Sequence, residues 1–150
     1  MTAEKRPSTL LLWATIVAAP AALGFETALR LLFFPAEFDL IREFLREYLT
    51  PVAWVLVLVT ALGAAIGLGL QRALAQKRVS RFPPDAPLSA RYAAVTGVFL
   101  LTTAAPQLPS ILATFCFMFG SSILPVLVCI SVTTMGVVLQ ALRVPALAEA

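Results

Sequence analysis

Residues 51–70 read PVAWVLVLVTALGAAIGLGL and contain no charged side chain. A helix needs about 20 apolar residues to cross the roughly 30 Å hydrocarbon core of a bilayer, so this stretch is long enough for one crossing. Comparable apolar stretches recur along the chain, which gives four predicted spans in all: residues 8–34, 51–72, 92–119 and 122–142. Because a water-soluble domain seldom holds even one such run, the chain is predicted to be an integral membrane protein.

The overall composition supports the same class. Of the 150 residues, 60% are hydrophobic and 13% are charged, whereas soluble domains have about 45–50% and 25%. A spanning segment must satisfy its own backbone polar groups, as a helix or as part of a closed barrel. Barrel strands alternate polar and apolar residues, and these spans are apolar on all sides. The fold class is therefore predicted as an all-α membrane protein with four transmembrane helices in one membrane domain.

The basic residues predict the orientation. Lysine and arginine are in excess on the cytoplasmic side of membrane proteins. Eight of the 11 basic residues fall before the first span, between the second and third, or after the fourth: Lys5, Arg6, Arg72, Lys77, Arg78, Arg81, Arg91 and Arg143. Both termini are thus predicted to be cytoplasmic, in the cell (inner) membrane. The basic start and the Ala19-Pro20-Ala21 sequence also fit a cleaved signal peptide, but the apolar run continues past that site, which favours an uncleaved span.

Residues 36–49 have a different pattern from the spans that flank them. Apolar side chains recur there at helical spacing, with charged side chains between them: AEFDLIREFLREYL. This pattern predicts a short amphipathic helix. A position flat in the outer interface is expected, and a lid over the bundle or a surface for a partner is the alternative.

The two connections on either side of the third span differ in character. Residues 73–91 form a basic, proline-containing segment that is predicted to be a cytoplasmic loop facing anionic lipid headgroups. Residues 120–122 predict a tight turn, so that the third and fourth spans form an antiparallel hairpin. In the second span, Gly63 and Gly67 lie one helical turn apart. Small residues at this spacing let two membrane helices approach closely, so these glycines are predicted to be packing positions.

The third span contains Pro106-Gln107-Leu108-Pro109. Each proline removes one backbone donor, so two carbonyl groups in the preceding turn, near Thr102 and Ala105, must find other partners. One interpretation is that polar side chains near the prolines line a polar cavity: Thr103, Gln107, Ser110 and Thr114. The other is that these side chains only satisfy the interrupted helix.

Glu26 is the one acidic residue inside a predicted span. An ionisable group within a membrane is a functional candidate, because its burial costs about 2.5–3.5 kcal/mol or more. Arg30 lies four residues further on, at a spacing that permits an ion pair. Glu26 therefore has two interpretations: an interfacial pair with Arg30, or a proton or cation site of an oligomeric transporter.

Two weaker patterns are left open. Residues 50–52 resemble residues 124–126, and each triplet begins a span, as a duplicated helical hairpin would predict. Cys116 and Cys129 both fall inside spans, where they are expected to be buried thiols. A redox role for this pair is the less favoured interpretation.

The sequence contains no motif of a common enzyme class. It has no histidine, which excludes histidine acid–base catalysis and the usual zinc sites. No phosphate-binding glycine loop is present. We expect a non-enzymatic protein without metal or cofactor that does not bind nucleic acid. Its partners are predicted to be the lipid bilayer and either copies of itself or another membrane protein, for which it acts as a subunit, assembly factor or regulator. A small transporter or channel that uses Glu26 is the alternative.

Overall fold

The computed structural model describes residues 9–33, 38–83 and 85–149, and all of the regular structure in them is helical. The chain forms four helices: α1 (Thr9–Phe33), α2 (Phe38–Val79), α3 (Leu88–Met118) and α4 (Ile123–Glu149). Three of them, α2, α3 and α4, are long and apolar enough to cross a membrane. The described apolar stretch of α1, Trp13–Leu29, is shorter. The chain is thus all-helical and has the character of a membrane protein.

Helix α2 differs from the sequence-based expectation. The amphipathic segment and the second span were predicted as separate helices with a boundary at Thr50-Pro51, but the structure has one helix of 42 residues with Pro51 inside it. A proline deprives a helix of one hydrogen bond and usually kinks it. Here contacts with the α3–α4 turn hold the helix on the amino-terminal side of Pro51. At 1.5 Å per residue, α2 is about 63 Å long, roughly twice the hydrocarbon thickness.

The connection between α2 and α3 is shorter than predicted. Helix α2 continues to Val79 and α3 begins at Leu88, so residues 80–87 connect them instead of residues 73–91. The basic residues Lys77 and Arg78 lie in the last turn of α2. Both types favour helix formation and are stabilised near a helix carboxyl terminus. The basic character of this segment therefore does not interrupt the helix.

The turn between α3 and α4 has the predicted short length, and its hydrogen bonds explain why. The Ser121 N–H donates to the Cys116 carbonyl (2.8 Å) and the Gly120 N–H to the Phe117 carbonyl (3.1 Å). This is the Schellman pattern that ends a helix on a residue with positive φ. Gly120 has φ of 128°, a conformation that glycine adopts without a steric cost.

Helices α2, α3 and α4 pack against one another, and α1 packs against α3 and α4. Two clusters of buried apolar residues fill the interior. The first contains Ala75, Val95, Phe99, Val137, Val144 and Ala148. The second contains Ala19, Ala113, Val126, Cys129 and Ile130. Between the two clusters the interior is lined by glycine, threonine, proline and glutamine.

Candidate functional site

The centre of the α2–α3–α4 bundle is built on the two prolines of α3. In a helix, each N–H donates to the carbonyl four residues earlier. Pro106 has no N–H for the Thr102 carbonyl, and Pro109 has none for the Ala105 carbonyl. Pro106, Pro109 and Thr102 are all buried. Two carbonyl oxygens inside the bundle therefore lack their helical donors.

The two glycines of α2 lie against these two carbonyls. A Cβ atom on Gly63 would stand 2.6 Å from the Ala105 oxygen, and one on Gly67 would stand 2.9 Å from the Thr102 oxygen. Real Cβ atoms do not approach backbone oxygen so closely, so only glycine fits at either position. In place of a Cβ atom each glycine has a Cα hydrogen directed at the carbonyl, and Cα–H groups are weak donors. Two glycines four residues apart on α2 thus face two carbonyls three residues apart on α3.

Helix α4 packs against both α2 and α3 where the glycines contact the free carbonyls. The Thr133 hydroxyl donates to the Pro106 carbonyl at 3.1 Å. A Cβ atom on Gly136 would lie 3.0 Å from the Ala64 Cβ, which brings α2 and α4 into close contact. Thr60 on α2 also lies beside Cys129 on α4, with 3.7 Å between Oγ1 and Sγ. The three helices therefore approach one another closely at this level, and side-chain hydroxyl contacts join them.

Two glutamine side chains extend the polar contacts toward the next turn. Gln71 Nε2 donates to the Gln140 carbonyl at 2.8 Å. The Gln140 side-chain oxygen lies 2.8 Å from the Thr102 hydroxyl. Gln71 and Gln140 are both fully buried. Among the described residues, Gln71 Oε1 and Gln140 Nε2 have no hydrogen-bond partner, so one acceptor and one donor of this cluster are unused.

Sequence reasoning missed both glutamines. Gln71 precedes Arg72, and Gln140 lies three residues before Arg143. A charged residue so close indicates the end of a span, where a glutamine is expected to be solvated. The helical spacing contained the missing signal. Gln71 lies four residues after Gly67, and Gln140 four residues after Gly136, so each continues the face that its glycine occupies.

Among the described residues, the four polar candidates of α3 share no hydrogen-bond partner. The Thr103 hydroxyl donates to the Leu100 carbonyl (3.0 Å) and the Thr114 hydroxyl to the Ile111 carbonyl (2.7 Å), both within α3. The Ser110 hydroxyl is buried, and its oxygen has no partner among the described residues. Gln107 is turned to α1, where its Nε2 donates to the Thr15 carbonyl at 3.1 Å. Gln107 thus joins α1 to α3, in the turn of α1 that precedes Pro20.

Glu26 is buried, with 6% of its surface exposed. It lies seven residues after Ala19 and three after Leu23, on the face of α1 that packs into the second apolar cluster against α3 and α4. Its carboxyl group is therefore located between helices and not on the outer face of α1. The side chain of Arg30 lies outside the described residues, so the ion pair stays a prediction.

A second polar region lies at the α3–α4 turn, over which the first three turns of α2 pass. The Arg42 guanidinium donates to the Met118 carbonyl at 3.1 Å and to the Phe117 carbonyl at 3.2 Å. These are carbonyls of the last turn of α3, which carry a partial negative charge and have no donor within the helix. A Cβ atom on Gly120 would clash with the Arg42 carbonyl oxygen. Arg42 was not singled out from the sequence, because its partners are backbone atoms 75 and 76 residues away.

The hollow beside Arg42 has a volume of about 350 Å³ and is open to the surface. Charged residues of α2 face the hairpin turn across it, with these lining residues: Asp39, Arg42, Glu43, Arg46, Phe117, Gly120, Ser121, Ser122 and Ile123. Asp39 and Arg42 approach to 3.4 Å. Acidic and basic side chains are balanced, so the hollow has no strong preference for a cation or an anion.

Comparison of the chain with protein-family models, with curated proteins and with solved structures gave no match. The chemistry of the site therefore rests on its own groups. Within the part of the chain that the structure describes, no cluster of three or more His, Cys, Asp or Glu residues is placed to hold a metal ion. The groups that meet in the bundle are carbonyls, hydroxyls and amides. Such groups join helices and orient them.

Proposed function

We propose that this chain is a non-enzymatic membrane protein that acts as a subunit, assembly factor or regulator, and that α2 is the helix by which it binds an apolar helix of another membrane protein. The observation that carries the proposal is a row of apolar side chains along α2, each more than half exposed and seven residues from the next: Ile41 (52%), Tyr48 (60%), Val55 (58%) and Leu62 (63%). A repeat of seven residues places one face of a helix continuously against a partner helix.

The position of this row supports a protein partner over lipid alone. Lipid requires an apolar surface within the hydrocarbon but no regular spacing. The row continues into the amino-terminal part of α2, among charged residues, where Ile41 and Tyr48 remain exposed. Phe44 lies beside Tyr48, with ring centroids 5.7 Å apart. Tyrosine and phenylalanine are enriched in protein interfaces relative to the rest of the surface.

The proposed topology adds α1 as a fourth span. Its 25 residues are long enough for a crossing at 1.5 Å per residue. With α1 spanning, the distribution of basic residues favours cytoplasmic termini, and the proposed location is the cell (inner) membrane. The hairpin turn at Gly120 and the amino-terminal part of α2 then lie at the outer surface. In this topology the amino-terminal part of α2 extends the helix out of the bilayer on the outer side instead of lying flat in the interface.

Purification in a mild detergent followed by native mass measurement tests the proposal. The expected result is a complex with a second membrane protein in fixed stoichiometry. The double substitution Val55→Ala and Leu62→Ala is expected to reduce recovery of the complex about ten-fold. Leu142→Ala is the matched control, because Leu142 is 71% exposed on α4 and lies away from the row.

Three results would contradict the proposal. The proposal would be wrong if the chain were monomeric and without a partner in every mild detergent. An equal loss of the complex in the Leu142→Ala variant would also contradict it, because the contact would then not depend on α2. A complex formed only of copies of this chain would show that the α2 row serves self-association and not a second protein.

A small oligomeric transporter or channel is the second candidate, and the burial of Glu26 between helices favours it. A carboxyl group in that position is suited to bind and release a proton or cation. In reconstituted vesicles, Glu26→Gln is then expected to abolish flux without lowering the yield of folded protein. If the substitution lowers only the yield, Glu26 has a structural role and this candidate fails.

A further inference from the structure

Two arginines at the end of α2 face a second hollow, of about 230 Å³, at the opposite end of the bundle from the α3–α4 turn. Its lining residues are Arg78, Arg81, Phe82 and Ala94. Among the described residues, neither guanidinium has an ion-pair partner. Two unpaired positive charges thus border one small hollow.

The surface next to the arginines is open. Arg78 extends along α3, and its terminal nitrogen lies 3.9 Å from the position of a Cβ atom on Gly97, with no other atom within 4 Å of that position. Ala94, Gly97 and Leu101 follow one another at intervals of three and four residues, which places them on one face of α3. Leu101 is 65% exposed. Ala94 and Gly97 have little or no side chain, so a shallow furrow leads from the guanidinium groups toward Leu101.

We propose that this hollow and furrow bind one anionic glycerophospholipid, with its phosphate on Arg78 and Arg81 and an acyl chain along Ala94, Gly97 and Leu101. A guanidinium presents donors in a fork that matches two phosphate oxygens. The hollow takes the headgroup, and Gly97 leaves room for the chain where a larger side chain would occupy the furrow. The site requires that the chain is embedded in a bilayer but does not depend on the partner proposed for α2.

The charge part of the proposal is tested by native mass spectrometry of the purified chain in mixtures of phosphatidylglycerol and phosphatidylcholine. One phosphatidylglycerol is expected to remain bound to the unmodified chain. Arg78→Gln and Arg81→Gln are each expected to weaken its retention about five-fold, the contribution of one basic residue near an anionic surface. Lys77→Gln is the matched control. It removes the same charge from the same helical turn, but Lys77 does not line the hollow.

The acyl-chain part is tested without any change of charge. Gly97→Leu fills the furrow and is expected to abolish retention, whereas Gly69→Leu, at another exposed glycine with open space around it, is expected to leave retention unchanged. Circular dichroism confirms that each variant keeps its helical content. The proposal would be overturned if Lys77→Gln lowered lipid retention as much as Arg78→Gln and Gly97→Leu left retention unchanged. Binding would then depend on the total positive charge and not on the hollow and furrow. Displacement of the lipid by millimolar glycerophosphoglycerol, which has no acyl chain, would also overturn the proposal and indicate a site for free phosphate compounds.

Discussion

Gly63 on α2 packs against the carbonyl oxygen of Ala105 on α3, and this is the carbonyl that Pro109 leaves without a helical donor. The next turn repeats the relationship with Gly67 and the Thr102 carbonyl, which Pro106 leaves free. The two hydrogen bonds that α3 lacks thus lie where α2 has glycine. The two glycines let the backbone of α2 come close to α3, and the two prolines leave carbonyl oxygens exposed on the surface of α3 that α2 contacts.

The first prediction concerns Gly63. In Gly63→Ala, the new methyl group meets a backbone carbonyl that cannot rotate away, so the helices must separate, at an expected cost of about 1–3 kcal/mol. Gly69→Ala is the control because it meets no atom within 4 Å, and it is expected to be neutral or slightly stabilising, as alanine is the better helix former. Unfolding in mixed detergent micelles measures both. Equal stability of the two variants would show that α2 and α3 are not in contact here.

A second prediction separates the hydrogen bond between Thr102 and Gln140 from general packing. In a double-mutant cycle of Thr102→Val with Gln140→Met, the coupling energy is expected to be about 0.6–1.7 kcal/mol, between the average and the maximum measured for polar pairs in a membrane bundle. Thr114→Val with Gln140→Met is the control cycle, because the Thr114 hydroxyl bonds only within α3. That cycle is expected to be additive. Coupling of the same size in both cycles would mean that it reflects a global change and not this contact.

Arg42 and Arg46 form the third test, because both lie on the same part of α2 and only Arg42 reaches the carbonyls of α3. Arg42→Gln removes a charged donor from a helix carboxyl terminus and is expected to destabilise the protein by about 1–2 kcal/mol. Arg46→Gln is expected to have little effect. Amide hydrogen exchange at Gly120 and Ser121 should accelerate only in the Arg42 variant. Faster exchange in both variants would point to a general charge effect.

The fourth prediction is the continuity of α2 through Pro51. Spin labels at Glu43 and Ala61, in a chain with Cys116→Ala and Cys129→Ala, are separated by 18 residues on one helix face. A continuous helix gives about 27 Å between these backbone positions. A right-angle bend at Pro51, as an interfacial helix would require, shortens the distance to about 19 Å. Pulsed dipolar spectroscopy distinguishes the two, and the shorter distance would contradict the structure.

Sequence reasoning recovers the features that depend on neighbours along the chain. The apolar runs of α2, α3 and α4 identify membrane-spanning character by their length alone, and residues 120–122 indicate the turn through their composition. Gly63 and Gly67 are recognisable because the helical repeat brings them to one face. In each case the physical cause lies in residues that are close together along the chain.

The features that sequence reasoning does not recover depend on how the helices are aligned with one another. The pairing of Gly63 with Ala105 follows from the relative height of α2 and α3, which no local pattern specifies. The same is true of Gln71 and Gln140, which look like residues at a membrane boundary until the bundle buries them. Thr50-Pro51 has every local sign of a helix start, yet the Thr50 hydroxyl accepts a hydrogen bond from the Ser122 N–H at 3.1 Å. That contact with the hairpin turn helps to keep the helix continuous.

The two sides of the contact between Arg42 and the end of α3 are synthesised at different times. Chains emerge and fold from the amino terminus, so α2 is in place before Phe117 and Met118 leave the ribosome. The Phe117 and Met118 carbonyls can then contact an Arg42 side chain that has already been synthesised, and α4 follows after α2 and α3. The last helix to be made, α4, is thus expected to dock on α2 and α3 after both have been synthesised, and the contacts of α1 with α4 can form only then.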